Sequence, residues 1–494
     1  MLPSSPAATS LDCAPVSDEP LLITDVQARV SAELERLSPV LDELGARFAA
    51  AGEELALVGG PVRDAMLGRL QQDLDFTTSA RPEVTERLLV GFAEATWDIG
   101  RAFGTIGCRW GQWTIEITTY RSEAYDPTSR KPEVAYGDSL VGDLARRDFT
   151  VNSMALSLPS QRLEDPFGGV VDLAERRLRT PGTPEASFSD DPLRMLRAAR
   201  FAAQLGFTVD ADVVAAMTDM AERISIVSAE RVREELVKLL MAPDPVRGLR
   251  LLVETGLAAQ VLPELPALAL ERDEHHRHKD VYEHSLTVLE QSIDLEHRLG
   301  GPDFVSRFAA LMHDVGKPRT RRFLDDGSVT FHHHDVVGAK LTRKRMQALR
   351  FSKEQIQAVT TLVELHLRFH GYGDGEWTDS AVRRYVRDAG DQLARLHVLT
   401  RADCTTRNRR KAERLRRAYD DLETRIERLE AEEELAAIRP DLDGNQIMEV
   451  LGVGPGREVG EAYRFLLELR LDRGPLEHDE AAEALRTWWA ARTA

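Results

Sequence analysis

The sequence has no apolar run of the roughly 18 residues that a membrane-spanning helix needs, which argues against a membrane segment. Its three cysteines, Cys13, Cys108 and Cys404, are too far apart to indicate a disulfide framework or a thiolate zinc site. The N-terminus has no basic region followed by an apolar stretch, and its Pro, Ser and Ala content predicts a disordered leader over residues 1–24. These absences together predict a cytoplasmic protein.

Positive charge is also in deficit, with 64 Lys and Arg residues against 82 Asp and Glu and a net charge of −18. Such a balance normally disfavours nucleic-acid binding, because contacts to phosphate depend on Lys and Arg. RNA binding would therefore require local basic patches. Candidates are the segments 176–179, 343–345 and 406–417 and the series Arg194, Arg197 and Arg200, although each by itself is more often a solvated helix face.

The hydrophobic pattern predicts an α+β fold. Residues 25–50 have the apolar spacing of a helix, and the segments ELALVGG, DLDFTT and TIEITTYR are typical of strands in a mixed sheet. From about Ala186 onward, long helices rich in Arg, Leu and Ala dominate. None of the 13 histidines precedes residue 275 and eleven fall between 275 and 370, so a chemically distinct module begins there.

The segment LVGGPVRDAMLGRLQQDLDFTT combines features of a nucleotide and metal site. Gly59 and Gly60 follow a strand, where glycines let the backbone approach a triphosphate and a helix N-terminus attracts it. Asp73 and Asp75 are two residues apart on a strand and point the same way, so both can hold Mg²⁺. Glu116, on a neighbouring strand, is a candidate third carboxylate. Each piece alone is weak evidence, since paired glycines are often a plain turn.

The joint pattern GGPVRDAMLGRLQQDLDF resembles the signature of the polymerase-beta-type branch that contains tRNA CCA-adding enzymes and bacterial poly(A) polymerases. The resemblance extends over about residues 40–270. It implies a polymerase-beta-like head with Asp73, Asp75 and Glu116 as catalytic carboxylates around Mg²⁺, and it implies that Gly59, Gly60 and Arg63 bind the nucleotide.

Four further segments resemble motifs of that family in the same order. RRDFTVNSMAL implies that Arg147, Asp148 and Asn152 contact the nucleotide sugar and phosphate. EDPFGGVVDL implies a structural link in which Asp165, Gly168 and Gly169 take part. SAERVREELVKLL resembles a neck helix, in which structural ion pairs of Glu230, Arg233 and Glu234 are expected. DDPLRMLRAARFAAQLGF resembles the base-reading motif, with Asp190 where the family usually has Glu.

The base-reading motif also has a physical rationale. An Asp carboxylate accepts a hydrogen bond from an exocyclic amine and an Arg fork donates to ring and carbonyl acceptors, so such a pair can mimic a complementary base edge. Asp191, Arg194, Arg197 and Arg200 follow one another at intervals of three, which predicts one helix face carrying all four. Asp191 and Arg194 are expected to select C or A, while Arg197 and Arg200 contact phosphates or brace carboxylates. The alternative is an amphipathic helix with surface ion pairs.

A second set of residues, His284, His313, Asp314 and Asp403, offers the imidazole and carboxylate ligands of a divalent metal. The set resembles the HD phosphohydrolase superfamily, in which Gly and Lys follow the His-Asp pair, here as Gly316 and Lys317. That resemblance implies a divalent metal whose identity the sequence leaves open. His334 and His366, with His333 as an alternative, are candidates for a second ion. Hydrolysis of cyclic phosphates or nucleotides and a purely structural role both remain open.

The combined resemblance implies a template-independent nucleotidyltransferase that adds CCA to tRNA, with tRNA, CTP and ATP as partners. A poly(A) polymerase or an enzyme adding only CC or only A is the nearest alternative, and an HD hydrolase with an inactive front half is the alternative of another class. The oligomeric state stays open. The expected domains are a nucleotidyltransferase head, a helical neck, an HD domain and a helical RNA-binding tail, over residues 25–180, 181–270, 271–404 and 405–494.

Overall fold

The computed structural model describes residues 23–98, 100–124, 133–137, 139–270, 281–325, 329–371, 377–405, 408–433 and 439–493. The chain divides into two compact units, Met1–Pro263 and Glu264–Ala494. The predicted leader, apart from its last two residues, and the histidine-rich segment 275–280 lie outside the described residues. The predicted domain boundaries at 180, 270 and 404 remain predictions.

The first unit combines a sheet with helices, as expected. Its helices are α1 (Ile23–Ala50), α2 (Gly60–Met66), α3 (Pro82–Leu89), α4 (Leu140–Ala145), α5 (Gly169–Ala174), α6 (Pro184–Asp190), α7 (Leu193–Leu205), α8 (Ala211–Asp219), α9 (Ala229–Leu240), α10 (Pro245–Glu254) and α11 (Leu257–Val261). Short 3-10 segments are Arg101–Phe103, Thr150–Asn152 and Ala221–Ile226.

The strands of this unit are β1 (Leu55–Val58), β2 (Asp73–Thr78), β3 (Ala95–Trp97), β4 (Thr105–Trp110), β5 (Trp113–Thr119), β6 (Arg121–Ala124), β7 (Glu133–Tyr136), β8 (Ala155–Leu158), β9 (Arg162–Glu164), β10 (Arg177–Leu178) and β11 (Thr208–Val209). Seven of them form a sheet in the order β3-β4-β5-β2-β1-β8-β9. β2 and β5 pair in parallel and their neighbours pair antiparallel, so the sheet is mixed.

Alternation along β2 decides which of its faces carries charge. Leu74 and Phe76 are almost fully buried, whereas Asp73 and Asp75 point to the opposite, exposed face. β1 beside it is buried along its whole length. The apolar face of α1, with Leu37, Leu41, Leu44 and Phe48, is completely buried. This packing fixes β2 at the centre of the sheet and leaves its carboxylates facing solvent.

The second unit is mostly helical. Its helices are α12 (Glu264–Ala267), α13 (Val281–Asp294), α14 (Phe304–Met312), α15 (Lys317–Thr320), α16 (His334–Ala348), α17 (Lys353–Leu365), α18 (Asp379–Ala389), α19 (Leu393–Ala402), α20 (Arg409–Glu433), α21 (Gly444–Leu451), α22 (Arg457–Arg473) and α23 (His478–Thr493). A short hairpin of β12 (Arg322–Phe323) and β13 (Val329–Thr330) and the 3-10 segments Leu268–Leu270, Glu296–Leu299, Arg368–Gly371 and Gly390–Gln392 complete it.

Apolar side chains pack at two places among the described residues of the second unit. Stacked rings of Phe304, Phe308 and Phe351 lie where α14 meets the chain that links α16 to α17. A separate cluster near the C-terminus joins α21, α22 and α23 through Ile447, Leu466 and Leu485. In the part of the chain that the structure describes, no helix is long and apolar enough to cross a membrane.

Gly169 lies where the chain cannot accommodate a side chain. A Cβ atom there would be 2.2 Å from the carbonyl oxygen of Thr150 and 2.8 Å from Cγ of Met154. The chain is held in this position because the Gly169 amide donates to Oδ1 of Asp165 over 2.6 Å. The expected structural role of this segment therefore has a steric basis.

We predict that Gly169→Ala lowers the free energy of unfolding by about 1–3 kcal/mol, because the backbone must shift to remove the clash. Urea unfolding measures this loss. Gly182→Ala is the matched control, since a Cβ atom at Gly182 meets nothing within 4 Å. Equal unfolding midpoints for the two variants would contradict the prediction.

Candidate active site and metal centre

Three carboxylates lie side by side on two parallel strands of the first unit. Asp75 on β2 is in register with Glu116 on β5, and Asp73 is two residues before Asp75 on the same face. Asp75 keeps solvent access, yet the protein surrounds much of its carboxylate. This partial burial, together with the charges of Glu116 and Asp73, raises its pKa above the ordinary value despite the opposing effect of Arg147. Such a site stabilises an added cation.

The Gly-Gly pair ends β1 and begins α2. Gly59 has a φ of 73°, a left-handed conformation that favours glycine. A Cβ atom at Gly59 would lie 2.7 Å from Nη1 of Arg147, so glycine also allows this guanidinium to lie against the backbone. Arg147 is therefore held between the glycine turn and the carboxylate-bearing strand.

A buried carboxylate that the sequence analysis missed fixes Arg147. The side chain of Asp143 is 1% exposed, and its oxygens lie 2.8 Å from Nη2 of Arg146 and 3.3 Å from Nη2 of Arg147. It also accepts a hydrogen bond from Oγ1 of Thr77 on β2. Burial would raise the pKa of Asp143, but Arg147 and Arg146 outweigh it and hold the pKa below its ordinary value.

Asp148 and Asn152 form a second buried group with two arginines. Asp148 accepts from Nδ2 of Asn152 at 2.9 Å, and its other oxygen lies 2.6 Å from Nη2 of Arg197. Arg63 in turn donates to Oδ1 of Asn152 over 2.5 Å. Although burial opposes ionisation, Arg197 and Asn152 depress the pKa of Asp148, so its carboxylate stays charged. The structure thus brings the predicted residues of α2, the RRDFTVN segment and α7 together.

Glu235 on α9 extends this group. Its side chain is 5% exposed, and its Oε2 lies 2.7 Å from Nε of Arg200, with Nη1 of Arg197 at 3.6 Å. The ring of Phe201 stacks beneath three guanidinium groups, with Arg200 closest at 4.0 Å from the ring centroid. Arg197 and Arg200 therefore brace carboxylates, one of the two roles expected for them.

The prediction that one helix face carries all four base-reading residues is wrong for Asp191. α7 begins only at Leu193, and Asp191 has extended backbone angles, φ −144° and ψ 101°. The reason is Pro192, whose ring disfavours the helical conformation in the residue before it. The Asp191 carboxylate instead accepts from the amide of Leu193 over 3.1 Å and from Nη2 of Arg231 over 2.6 Å.

Arg194 is held apart from Asp191 by other partners. Its Nη2 donates to the carbonyl of Arg146 over 2.6 Å and its Nη1 to Oγ of Ser187 over 3.0 Å. The side chain is nearly buried. Arg194 therefore links α7 to the same segment that carries Arg147 and Asp148.

All these elements border one open cleft of about 490 Å³. Eight arginines and three aspartates line it, a marked excess of positive charge in a chain whose net charge is −18. The charged lining consists of Arg63, Asp75, Arg121, Arg146, Arg147, Asp148, Asp191, Arg194, Arg197, Arg200 and Arg231. Such a cleft fits a polyanion such as a nucleoside triphosphate.

In the second unit, His284, His313 and Asp403 place three ligand atoms within 4.8 Å of one another. His284 lies on α13, His313 directly follows α14, and Asp403 directly follows α19. The two Nε2 atoms are 3.3 Å apart, and Nε2 of His284 is 2.9 Å from Oδ1 of Asp403. The three segments thus converge as the sequence analysis expects.

A second group joins Asp314 to His334 and His366, again within 4.8 Å. Oδ1 of Asp314 is 3.3 Å from Nε2 of His334, while its Oδ2 is 3.2 Å from Nε2 of His313. Asp314 therefore lies between the two groups. His333 is exposed and is not part of either group.

The hydrogen bonds around these histidines fit metal ligation. Nδ1 of His313, His334 and His366 each bonds a backbone carbonyl three residues earlier, at 2.6–2.8 Å. A donating Nδ1 leaves an unprotonated Nε2, and these Nε2 atoms face one another in pairs 3.3 Å apart. Opposed lone pairs need a proton or a cation between them, so the residues fit a divalent metal.

The carboxylates of Asp314 and Asp403 attract positive charge to this cluster, and a proton on His313 is one way to supply it. Burial would lower the pKa of His313, but the Asp314 and Asp403 carboxylates raise it to about 9. Burial and the nearby His313 charge lower the pKa of His366 to about 3, so this ring is neutral and available as a ligand. The cluster therefore favours positive charge at its centre.

Gly316 and Lys317 support the cluster from one side. A Cβ atom at Gly316 would lie 2.0 Å from the carbonyl oxygen of His334, so only glycine allows α16 to start this close. Nζ of Lys317 lies 2.9 Å from Oδ2 of Asp314. Both residues thus contribute to the position of the Asp314 carboxylate.

Three contacting residues, Asp143, Arg231 and Glu235, were not expected from the sequence. The four-residue spacing of Arg231 and Glu235 on α9 was the available signal, because it places both on one helix face. Ion pairs of this helix were expected at Glu230, Arg233 and Glu234 instead, and Nη2 of Arg233 lies 3.8 Å from Oε1 of Glu234. Asp143 has a local signal of the same kind, because Arg146 and Arg147 follow it by three and four residues.

Comparison with family models gives three consecutive matches. The poly(A) polymerase head domain matches residues 55–179, the probable RNA- and SrmB-binding site of polymerase A matches residues 206–268, and the HD domain matches residues 281–408. The carboxylates Asp73, Asp75 and Glu116 fall within the first match, and the histidine and aspartate groups of the second unit fall within the third.

Curated relatives extend the similarity to nearly the whole chain. An A-adding tRNA nucleotidyltransferase of Deinococcus radiodurans is 36% identical over 448 residues, which cover 89% of this chain and 96% of that protein. A CCA-adding enzyme of Bacillus velezensis is 40% identical over 220 residues, covering 44% of this chain and 53% of that protein. The chain thus matches about half the length of this CCA-adding relative.

Two solved structures share the fold. The Bacillus stearothermophilus CCA-adding enzyme in complex with CTP has a TM-score of 0.61 and 24% identity, covering 92% of this chain and 98% of the other. The Thermotoga maritima CCA-adding enzyme complexed with tRNA has a TM-score of 0.57 and 19% identity, covering 94% and 98%.

We predict that His366→Ala removes one of two tightly bound equivalents of divalent transition metal, because it takes one ligand from the group around Asp314. Elemental analysis after dialysis against Mn²⁺ measures the stoichiometry. His297→Ala is the control, since His297 is exposed and bonds only the carbonyl of Asp294 in the described contacts. Unchanged metal content in His366→Ala would refute the second site.

We predict that Asp143→Asn lowers the free energy of unfolding of the first unit, because it leaves two arginines without their buried partner. Breaking a buried ion pair costs about 3–5 kcal/mol. The expected loss lies at the lower end of this range, because Arg146 and Arg147 keep 22% and 23% of their side chains exposed. The folded pKa of Asp143 is depressed, so this stability is present above the ordinary value of 3.8 and is lost as the pH falls through the folded pKa. Urea unfolding at pH 7, with the exposed Asp98→Asn as control, tests this; equal stabilities would contradict it.

Proposed function

Since the chain belongs to the family of tRNA nucleotidyltransferases and poly(A) polymerases that carry a C-terminal HD domain, we propose that it extends the 3′ end of tRNA with nucleotides from CTP and ATP. The observation that carries this proposal is the arginine-lined cleft beside Asp75. It gathers the nucleotide-binding residues expected from three separate sequence motifs into one cavity. A template-independent polymerase needs such a combination of triphosphate binding, carboxylates and base recognition.

The carboxylates are the catalytic end of the cleft. Asp73 and Asp75, with Glu116 beside them, would hold Mg²⁺, which when bound as a pair of ions activates the RNA 3′-hydroxyl and stabilises the pyrophosphate leaving group. The hydroxyl would lose its proton to solvent and its oxygen would form a bond to the α-phosphorus, while the bond to pyrophosphate breaks and pyrophosphate leaves. Arg147, fixed by Asp143, is placed to bind the triphosphate beside these carboxylates.

The opposite part of the cleft would hold the sugar and base. Asp148 and Asn152, joined to Arg63 and Arg197, present a rigid polar surface to the nucleotide. Asp191 and Arg194 would then read the base. The carboxylate would accept a hydrogen bond from the exocyclic amine of C or A, and the guanidinium would donate hydrogen bonds to the ring acceptors. Uracil and guanine carry a carbonyl where the amine is required.

The HD residues support a second, hydrolytic function. A metal ion that His284, His313 and Asp403 hold, with a second ion at Asp314, His334 and His366, would supply a hydroxide nucleophile near neutral pH. We propose a metal-dependent phosphohydrolase that acts on nucleotides or cyclic phosphates. The metal itself is divalent and otherwise open.

One observation favours a narrower nucleotide specificity as a second candidate. The relative matched along 96% of its length is named an A-adding enzyme, whereas the Bacillus velezensis CCA-adding enzyme matches over about half of its length. Addition of A alone to tRNA ending in CC is therefore the alternative to complete CCA addition.

We expect purified protein with Mg²⁺ to extend tRNA transcripts ending at the discriminator base, at C or at CC, using labelled CTP and ATP. Stepwise addition of C, C and A that then stops supports CCA addition; addition of A to CC alone supports the second candidate. Long A tracts on any RNA would mean a poly(A) polymerase.

The control for this assay is the pair Asp73→Asn and Asp75→Asn, which should reduce incorporation at least a hundredfold because Mg²⁺ loses its ligands. Glu43→Gln removes an exposed carboxylate of α1 that pairs with Arg47 and should leave incorporation unchanged. Failure of the unmodified protein to add any nucleotide would refute the proposal.

A further inference from the structure

Arg231, which projects from α9, contacts the carboxylate of Asp191 across 40 residues of chain. Its Nη2 donates to Oδ2 of Asp191 over 2.6 Å, and both residues line the cleft. The other carboxylate oxygen, Oδ1, accepts from the amide of Leu193. Each oxygen of Asp191 thus has one fixed donor, which leaves the carboxylate a defined orientation.

The ion pair between Arg231 and Asp191 orients a carboxylate more than it stabilises the fold. The Arg231 side chain is 51% exposed, and an ion pair with such an exposed partner adds little to stability. Asp191 is 17% exposed, so its remaining lone pairs still open toward the cleft. Arg231 therefore orders a carboxylate that stays accessible to a ligand.

The helix that carries Arg231 is itself rigidly placed. Glu235, one turn further along the same face of α9, is buried against Arg200 and Arg197. Val232, Leu236 and Leu239 of this helix are buried in the core. Arg231 consequently approaches Asp191 from a fixed base. Asp191 itself lies on the link between α6 and α7, where its backbone angles are extended.

We infer that Arg231 is a positioning residue for base selection, which fixes the Asp191 carboxylate so that it accepts an exocyclic amine and rejects a carbonyl at the same place. This inference rests on the proposed base-reading role of Asp191. Fixed lone pairs distinguish the amine of C or A from the carbonyl of U or G because a carbonyl cannot donate to them. A carboxylate free to rotate could turn away from the carbonyl and tolerate the wrong base.

A second consequence concerns the charge of Arg231 itself. While its Nη2 donates to Asp191, that donor is not free to bond the carbonyl of U or G. Removal of Asp191 would release it, and a free guanidinium donates readily to a carbonyl oxygen. The two residues therefore discriminate as a unit, and their effects on base choice should not be additive.

The test measures kcat and KM for single additions to tRNA, with ATP against GTP and CTP against UTP. Arg231→Ala should lower the ratio of kcat/KM for the correct over the incorrect nucleotide by about two- to fivefold, the upper part of the range for an exposed ion pair. The loss should appear mainly as a higher KM for the correct nucleotide, with kcat at saturation retained. Arg231→Lys, which keeps a donor and the charge, should restore part of the ratio.

Lys238→Ala is the matched control, because it removes one positive charge from an exposed position of the same helix. It should leave the ratio unchanged. In the Asp191→Ala background, a further Arg231→Ala substitution should no longer reduce the preference for C and A. Thermal unfolding of every variant establishes that the compared proteins are folded, and Arg231→Gln replaces Arg231→Ala if the latter is not.

Three results would overturn the inference. If the discrimination ratio of Arg231→Ala stayed within twofold of that of the unmodified protein, Arg231 would not be needed to orient the Asp191 carboxylate. An equal loss of kcat/KM for correct and incorrect nucleotides would show that Arg231 has only a structural role. The same conclusion would follow if Arg231→Ala changed discrimination equally in the presence and absence of Asp191. By contrast, an unmodified protein that adds no nucleotide to any tRNA would refute the proposed function itself, and the inference with it.

Discussion

A buried chain of alternating charges joins the sheet of the first unit to the helices that follow it. Asp148 pairs with Arg197, Arg197 and Arg200 share Glu235, and the ring of Phe201 lies beneath the guanidinium groups. Removing one partner from such a network leaves an uncompensated charge at low dielectric. Each charged member therefore makes the burial of its neighbours energetically possible. The arginine-lined cleft depends on this constraint, because Asp148, Arg197, Arg200 and Phe201 all line it.

The candidate sites of the two units differ in the chemistry of their side chains. The first concentrates arginine around a few carboxylates, which suits a polyanionic substrate and a hard cation. The second assembles imidazole nitrogens and carboxylates, whose paired Nε2 atoms suit a divalent metal. A net charge of −18 predicts neither site, since the charge that matters to a ligand is the charge that lines its cavity.

Local patterns predicted much of the fold and of the candidate sites. Alternation in DLDFTT placed Asp73 and Asp75 on one face of a strand, and the register with Glu116 agrees with the expected third carboxylate. The helical spacing of α7 was right from Leu193 onward but wrong for Asp191, where Pro192 overrides it. Arg231 and Glu235 were missed because their partners lie on other elements of the chain. Asp143 was missed although Arg146 and Arg147 follow it by three and four residues.

The sequence by itself determined the types of the elements, the mixed sheet followed by helices, and the residues with the chemistry for nucleotide and metal binding, since periodicity and short motifs are local properties. Only the tertiary structure decided which charges meet. It paired Asp191 with Arg231 and placed Asp314 between two histidine groups. Contacts between residues far apart in the chain depend on how packed elements approach one another, and no local spacing encodes that distance.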